Sequence, residues 1–201
     1  MSHYFENDNN LRSETRELTY KFDYYTFTFL SDNGVFSKKA IDFGSKLLLE
    51  TYLKDDTKEL KVLDVGCGYG LLGTVISVVN NSYVEMVDVN KRAVHLSKRN
   101  TKKLDKFNGK IYESDAYQNV EGKFDVVITN PPIRVGKSKV LEILDGAFDY
   151  LNENGSLYFV IRKDQGALSI KKILESNNRK VELLNKDKGY YIFKVKCWHF
   201  L

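Results

Sequence analysis

Apolar and polar positions change rhythm along this chain. In the stretch 18–30 apolar residues fall at Tyr20, Phe22, Tyr25, Phe27 and Phe29, a two-residue alternation that slips once at Asp23 and predicts a β-hairpin. Asp32, Asn33 and Gly34 then predict a turn, and Ile41, Leu47, Leu48 and Leu49 predict a helix over about 38–53 that runs into a charged linker, 54–59. From Leu60 short apolar runs alternate with helical stretches. Strands are expected at 61–65, 83–89, 110–113, 124–129 and 156–161, with helices between them at 71–80, 91–104, 138–151 and 165–176, each opened or closed by Asn, Asp or Gly. That order makes an α/β protein with a doubly wound sheet of five parallel strands. The stretches 180–185 and 190–197 flank a Lys188-Gly189 turn with no helix between them, so they are expected to finish the sheet as an antiparallel hairpin.

A length of 201 residues suits one compact domain, with 1–59 as an N-terminal hairpin-and-helix extension packed on a core formed by 60–201. No run approaches the roughly 20 apolar residues of a membrane span, and the polar N-terminus lacks the core of a signal peptide, so a cytoplasmic location and no membrane partner are expected. Cys67 and Cys197 lie far apart and share no paired spacing with His3, His95 and His199; reduced thiols and no bound metal follow. A net charge of +4 is too mild to identify a partner, which makes the placement of charges the informative property.

Chemistry enters at the strand ends. The strand Val62-Leu63-Asp64-Val65 runs into Gly66-Cys67-Gly68-Tyr69-Gly70 ahead of a helix, a turn where glycine lets backbone approach a ligand. Asp88 ends the next strand beside Val89, placed to accept hydrogen bonds from a ribose diol, and Asp115 with the Ala116 N–H, after the third, suits an adenine ring. Two cofactors are compatible with this text. Gly68, Gly70 and Gly73 spell the dinucleotide fingerprint, with Asp88 twenty positions after the first glycine. Asp64, a carboxylate at the strand tip beside a helix N-terminus, instead disfavours a pyrophosphate and favours the ammonium and sulfonium of S-adenosylmethionine.

Pro131 and Pro132 are the chain's two prolines, where average composition gives about ten. They stand together in Asn130-Pro131-Pro132-Ile133 at the end of an apolar strand, and each proline pushes the residue before it out of the helical region, so a stiff extended edge is expected. The Asn130 side-chain oxygen and the Pro131 carbonyl are suited to accept the two protons of an exocyclic base amine, whose lone pair is otherwise delocalised into the ring. The amine is then a competent nucleophile towards a sulfonium methyl, with no metal or covalent intermediate.

These residues resemble a known family, the single-domain class I (Rossmann-like) methyltransferases similar to the small-subunit ribosomal RNA guanine-N2 methyltransferases. The likeness spans nearly the whole chain: His3-Tyr4-Phe5, Gly34-Val35-Phe36-Ser37-Lys38, Asp42-Phe43-Gly44-Ser45, the run from Val62 to Gly70, and Asn130-Pro131-Pro132-Ile133-Arg134-Val135-Gly136-Lys137. The glycine and Asn-Pro-Pro motifs specify a class of amine methyltransferases, whereas the front motif is the more specific signal. The resemblance implies that the stretch from Phe36 to Gly44 closes the pocket, Phe36 and Asp42 included. It implies that Asp64, Gly66, Gly68 and Asp88 bind S-adenosylmethionine, with Cys67, Gly70, Val89, Asp115 and Ala116 beside them, and that Asn130 and Pro131 are catalytic. Larger members carry a second, degenerate methyltransferase-like domain, which this sequence does not match.

Lys38, Lys39, Arg134, Lys137, Lys139, Arg162 and Lys163 fall in the front motif or near predicted strand ends, and are expected to form a basic rim for phosphates. Lys38, Pro132, Ile133, Arg134 and Lys137 are the expected substrate contacts, while Lys98, Arg99, Lys102 and Lys103 share one helix and read as a solvated face. The expected activity is methylation of guanine N2 in ribosomal RNA, with the small subunit or an assembly intermediate as partner. The alternatives are an adenine-N6 or protein-glutamine methyltransferase, disfavoured by Ile133 where those enzymes carry an aromatic residue, a non-catalytic RNA-binding protein, and a nicotinamide oxidoreductase.

Overall fold

In the computed structural model, residues 12–37, 39–55 and 57–197 are described. The slip at Asp23 is where the front hairpin turns: β1 (Arg16–Phe22) and β2 (Tyr25–Ser31) pair antiparallel across Asp23 and Tyr24, and Asp23 takes φ 51°, a left-handed value that a short polar side chain tolerates. The alternation buries Leu18, Tyr20, Phe27 and Phe29. α1 (Phe43–Leu53) starts later than the expected position 38 because Asp42 caps it. Asp42 has extended backbone, and its carboxylate accepts the Ser45 N–H at 2.7 Å. Lys38, like the His3-Tyr4-Phe5 motif and His199, lies outside the described residues.

Next come β3 (Lys61–Val65), α2 (Leu71–Asn80), β4 (Tyr83–Asp88), α3 (Lys91–Thr101), β5 (Gly109–Glu113), β6 (Phe124–Thr129), α4 (Lys137–Gly146), β7 (Leu151–Arg162), α5 (Ala167–Ser176), β8 (Arg179–Asp187) and β9 (Tyr190–Cys197). They build one sheet in the order β5-β4-β3-β6-β7-β9-β8, in which β3 to β7 pair parallel and β9 pairs antiparallel with both β7 and β8. Five parallel strands closed by an antiparallel hairpin are therefore present as the periodicity predicts. Two helices also end earlier than expected: α3 stops at Thr101 rather than 104, and the helix expected over 138–151 ends at Gly146, with β7 beginning at Leu151 rather than near 156. Tyr150 marks the break: its ring stacks on Tyr117 at 4.8 Å, and its carbonyl accepts the Phe124 N–H of β6 at 2.8 Å instead of an N–H from a following helical turn.

Alternate residues of the central strands feed two apolar layers. Val62, Val84, Met86, Val126 and Ile128 pack with the front hairpin, α1, α2 and α3; Leu63, Val87, Val127, Leu157 and Phe159 pack with α4 and α5. Burial on both faces explains why these strands read as near-continuous apolar runs. Strand order reverses between β3 and β6, and at such a reversal the loops leaving the strand C-termini part to form a crevice.

Two glycines set the spacing around it. A Cβ on Gly73 of α2 would lie 2.4 Å from Met86 Sδ, so this glycine lets α2 press on β4. A Cβ on Gly44 would lie 2.7 Å from the Tyr190 ring, so the start of α1 sits directly on β9. Among the described residues no helix is long and apolar enough to cross a membrane.

Candidate active site

The crevice is a cavity of about 710 Å³ walled by the front loop, the turn after β3, and the ends of β4, β5 and β6. Its lining contains Phe36, Asp42, Gly66, Cys67, Gly68, Asp88, Val89, Asp115, Ala116, Asn130, Pro131, Pro132, Ile133 and Arg134 of the residues singled out from the sequence. Asp64, Gly70 and Lys137 are not part of the lining.

The glycine turn is built by backbone geometry. Gly66 and Gly68 have φ of 73° and 58°, and a Cβ at either position would meet no protein atom within 4 Å, so both leave room on the cavity side. Val87 O accepts the N–H groups of Gly66 and Cys67, and Asp88 Oδ2 accepts that of Gly68 at 2.9 Å. From α3, Ser97 donates to Gly68 O at 2.8 Å and Asn100 to Tyr69 O at 2.8 Å. Gly70 caps α2 at φ 91° and serves the turn rather than the cavity surface.

Asp64 sits behind this turn at 1% exposure. Its Oδ2 accepts the Gly73 N–H in the first turn of α2 at 2.9 Å, while its Oδ1 is buried without a hydrogen-bond partner among the described residues. A carboxylate thus already occupies the helix N-terminus where a dinucleotide fold holds pyrophosphate. Burial pushes this carboxyl up to about 7, against the opposing effect of the Gly73 N–H and with a further rise from the Asp88 charge. Asp88 is raised by burial as well, opposed by the N–H groups of Asn90, Gly68 and Val89, and Cys67 is pushed up by burial and by both carboxylates, which keeps its thiol protonated.

A stability prediction follows from Asp64. Its folded value lies above the ordinary carboxylate value of about 3.9, so the native state holds this proton more tightly than the unfolded chain, and stability falls as pH rises between about 4 and about 7. Denaturant titrations of the ligand-free protein across that interval should show wild type losing ground to Asp64→Asn as pH increases. Parallel curves for the two proteins would contradict the assignment.

At the opposite wall Thr129 Oγ1 donates to Val65 O at 2.8 Å, tying the end of β6 to the end of β3 immediately before Asn130. The Asn130 amide nitrogen donates to Asp42 Oδ2 at 3.1 Å and to Ser45 Oγ at 2.8 Å. Both amide protons are thereby used, and the side-chain oxygen is left as the acceptor. Asp42, expected as a cofactor contact, spends its Oδ2 on the cap of α1 and on Asn130. Pro132 is extended at φ −73° and ψ 92°, and a single tight turn, Ile133–Val135, leads from it into α4.

The expected basic rim is only partly realised. Lys39, Arg134, Lys139 and Arg162 line the cavity, but Lys139 is paired with Glu142 at 2.9 Å and Asp115 at 3.6 Å, and Arg162 is paired with Asp164 at 2.8 Å while its guanidinium lies over Tyr190. Lys137 donates to Ser169 Oγ at 2.7 Å and ties α4 to α5 instead of facing the cavity. These acidic neighbours reduce the positive charge available at the mouth.

The sequence motifs contain Ser45 and Tyr69 without giving them a site role, and sequence reading missed Asn90 and Tyr190; all four line the cavity. Ser45 lies three residues after Asp42 in a capping pattern, and Asn90 precedes α3, so both had a local signal. Asn90 does double duty: its Oδ1 caps α3 through the Arg92 and Ala93 N–H groups, and its Nδ2 donates to Gly34 O at 2.9 Å. Arg92 adds a bond to Asn33 O at 2.9 Å, so the start of α3 holds the front loop beside the cavity. Tyr190 had no signal, since only the packing of β9 on α1 brings it there.

The methyltransferase small domain family model matches residues 26–194. The chain is 41% identical over 197 residues to the uncharacterized protein YbxB of Bacillus subtilis (strain 168), covering 96% of this chain and 98% of the relative. It is 34% identical over 174 residues to ribosomal RNA small subunit methyltransferase C of Haemophilus influenzae (strain PittEE), covering 84% of this chain and 51% of that protein. The chain therefore spans about half the length of the small subunit methyltransferase C relatives it matches. Among solved structures, the 16S rRNA N2 G1207 methyltransferase (RsmC) of T. thermophilus, in complex with AdoMet and guanosine, superposes with a TM-score of 0.79 at 22% identity over 93% of this chain and 52% of that one. Ribosomal protein L11 methylase from Lactobacillus delbrueckii subsp. bulgaricus gives a TM-score of 0.69 at 20% identity over 78% and 79% of the two chains.

Proposed function

The chain belongs to the methyltransferase small domain family and is an S-adenosylmethionine-dependent methyltransferase, and from that premise we propose that its acceptor is an exocyclic base amine, guanine N2 of small-subunit ribosomal RNA. The observation that carries this reading is the Asn130 side chain, whose amide protons are taken by Asp42 and Ser45 and whose oxygen is left to accept.

The cavity fits the cofactor. The buried Oδ1 of Asp64 has no partner behind the glycine turn, and a cationic donor bound there would favour the ionised carboxylate that burial disfavours. Gly66 and Gly68 leave space where a side chain would intrude, Asp88 keeps lone pairs for a diol, and Asp115 with Ala116 forms the third strand-end contact. When bound, S-adenosylmethionine supplies a methyl group made electrophilic by its sulfonium. Asn130 Oδ1 and the Pro131 carbonyl accept the two protons of the acceptor amine, which opposes delocalisation of its lone pair and aims it. After transfer the nitrogen loses one of those protons to solvent. Positioning of this kind is worth roughly 7 to 11 kcal/mol, and fixed acceptors roughly 3 to 4 more.

Asp42 and Ser45 act as positioning residues here. A carboxylate accepting an amide N–H draws electron density towards the amide oxygen and so strengthens it as an acceptor, and the N-cap of α1 holds that carboxylate in place. The segment 1–59 is accordingly read as an extension that completes the site of a single domain. Phe36, at 49% exposure in the lining, supplies an aromatic face for a planar base, with Ile133 where related amine methyltransferases carry an aromatic residue. Arg134 and Lys39 remain the rim contacts of this reading, which includes a cytoplasmic location.

Incubating the purified chain with labelled methyl donor and small subunits or their RNA from a strain lacking the gene should place label on guanine N2, read by nuclease digestion and mass analysis. Label on adenine N6 or on a protein glutamine would overturn the acceptor while leaving the enzyme class intact.

A further inference from the structure

The charge of this protein is concentrated in one place, and it is not the cavity mouth. Between positions 90 and 110 the chain holds eight Lys and Arg residues against one acid, Asp105, a local balance of +7, whereas the whole chain carries +4; the remainder of the molecule is therefore net negative. On α3 the buried residues Ala93, Val94, Leu96, Ser97 and Asn100 face the sheet and hairpin. The exposed positions on the opposite side include Lys98 and Arg99, and Lys102 and Lys103 follow, also exposed, in the turn just beyond the helix. None of these four forms an ion pair with another described residue, in contrast to Lys139, Arg162, Lys171 and Lys194, which all do. Placement near a helix C-terminus favours Lys98 and Arg99 through the backbone dipole. That effect fades within the last turn and does not account for Lys102, Lys103 and Lys106 beyond it.

An aromatic group adjoins this charge. The tip of the front hairpin presents Tyr24 at 79% exposure, its ring 4.4 Å from that of Tyr25, and Lys106 lies 6.0 Å from the Tyr25 ring. No packing requirement explains an exposed tyrosine at a tight turn, where small polar residues are the usual choice. The hairpin is held against α3 by Asn100, which bonds both Leu30 N and Leu30 O, so the two features keep a fixed relation. The strip also connects with the cavity, because Asn90 lines the cavity and caps the same helix, which runs about 16 Å from there.

We infer that the exposed face of α3, with the hairpin tip, is a docking surface for single-stranded RNA, its lysines and Arg99 on phosphates and Tyr24 on a base. This rests on the reading of RNA as substrate and adds where the strand flanking the target nucleotide lies. Unpaired cations in an acid-poor strip answer a polyanion, and an aromatic platform at its end selects nucleic acid over an acidic lipid surface, which offers nothing to stack. It also replaces the expectation that these lysines are merely solvated.

The test is binding of a fluorescently labelled single-stranded oligoribonucleotide of about 16 nucleotides to the full chain over a series of salt concentrations. The combined variant Lys98→Gln, Arg99→Gln, Lys102→Gln and Lys103→Gln should bind at least tenfold more weakly. Its slope of log affinity against log salt should be shallower by roughly 2 to 3. Tyr24→Ser should weaken binding without changing the slope. S-adenosylhomocysteine affinity should match wild type in both, and melting temperature should fall only by the small dipole contribution of Lys98 and Arg99 in the combined variant. An unchanged slope in the combined variant overturns the surface while the RNA reading stands. Wild-type protein that ignores the oligonucleotide but binds anionic vesicles through these lysines overturns the surface and the RNA reading together.

Discussion

Replacing Asn130 by alanine is expected to lower turnover about a hundredfold or more while S-adenosylhomocysteine binds as in wild type. Removing the side chain deletes the acceptor that fixes the amine, and a loss confined to the transition state appears in kcat without a matching change in substrate affinity. The same site gives a graded companion. Asp42→Ala removes the partner of the Asn130 amide and the cap of α1 together, so turnover should fall by less than in Asn130→Ala and the protein should lose about 1 kcal/mol of stability. Asp42→Asn keeps an oxygen for both bonds and should recover most of the stability but only part of the turnover, because the carboxylate charge is gone. Wild-type turnover in Asn130→Ala, measured by labelled methyl transfer, would remove the central element of the proposed chemistry.

The second large effect is expected at Gly68. Alanine there adds a methyl group directed into open space at the cavity wall, with no protein atom within 4 Å, so the cost falls on the ligand rather than on the fold. A methylene-sized intrusion into a fitted pocket is worth about 10- to 200-fold in affinity. The left-handed φ of 58° adds roughly 1 to 2 kcal/mol of backbone strain. Titration calorimetry with S-adenosylhomocysteine should therefore show an affinity loss of about 10- to 200-fold in a protein whose melting temperature falls only by what that backbone strain costs. Gly73 provides the contrast: its missing Cβ faces Met86, so Gly73→Ala should destabilise the protein and leave the cavity surface unaltered. If Gly68→Ala binds the ligand normally, the turn does not hold the cofactor.

These two sites differ in how legible they were. The glycine turn and Asn-Pro-Pro stood out in the text because each is a short run whose backbone requirements are local, and each lies at the end of an apolar strand. The partner of Asn130 could not be read in this way. Asp42 and Ser45 are separated from it by 88 and 85 positions, and they meet it only because Gly44 allows α1 to settle on Tyr190. Asp42 was singled out, but for the cofactor; its capping and positioning bonds depend on that contact. The basic rim was only partly legible for a related reason, since the sequence shows which residues are cationic but not that Glu142, Asp115 and Asp164 stand beside two of them.

By itself the sequence determined the alternation of strands and helices, the sheet of five parallel strands with its closing hairpin, and the strand ends that carry chemistry. Each is a consequence of side-chain periodicity or of glycine and proline restricting the backbone over a few residues. Only the tertiary structure decided which carboxylates line the cavity and which one bonds Asn130, where α4 gives way to β7 near Tyr150, and which cations stand beside acids. Those outcomes depend on distances between residues remote in the chain, set by how closely one packed layer approaches another, and no local pattern encodes such distances.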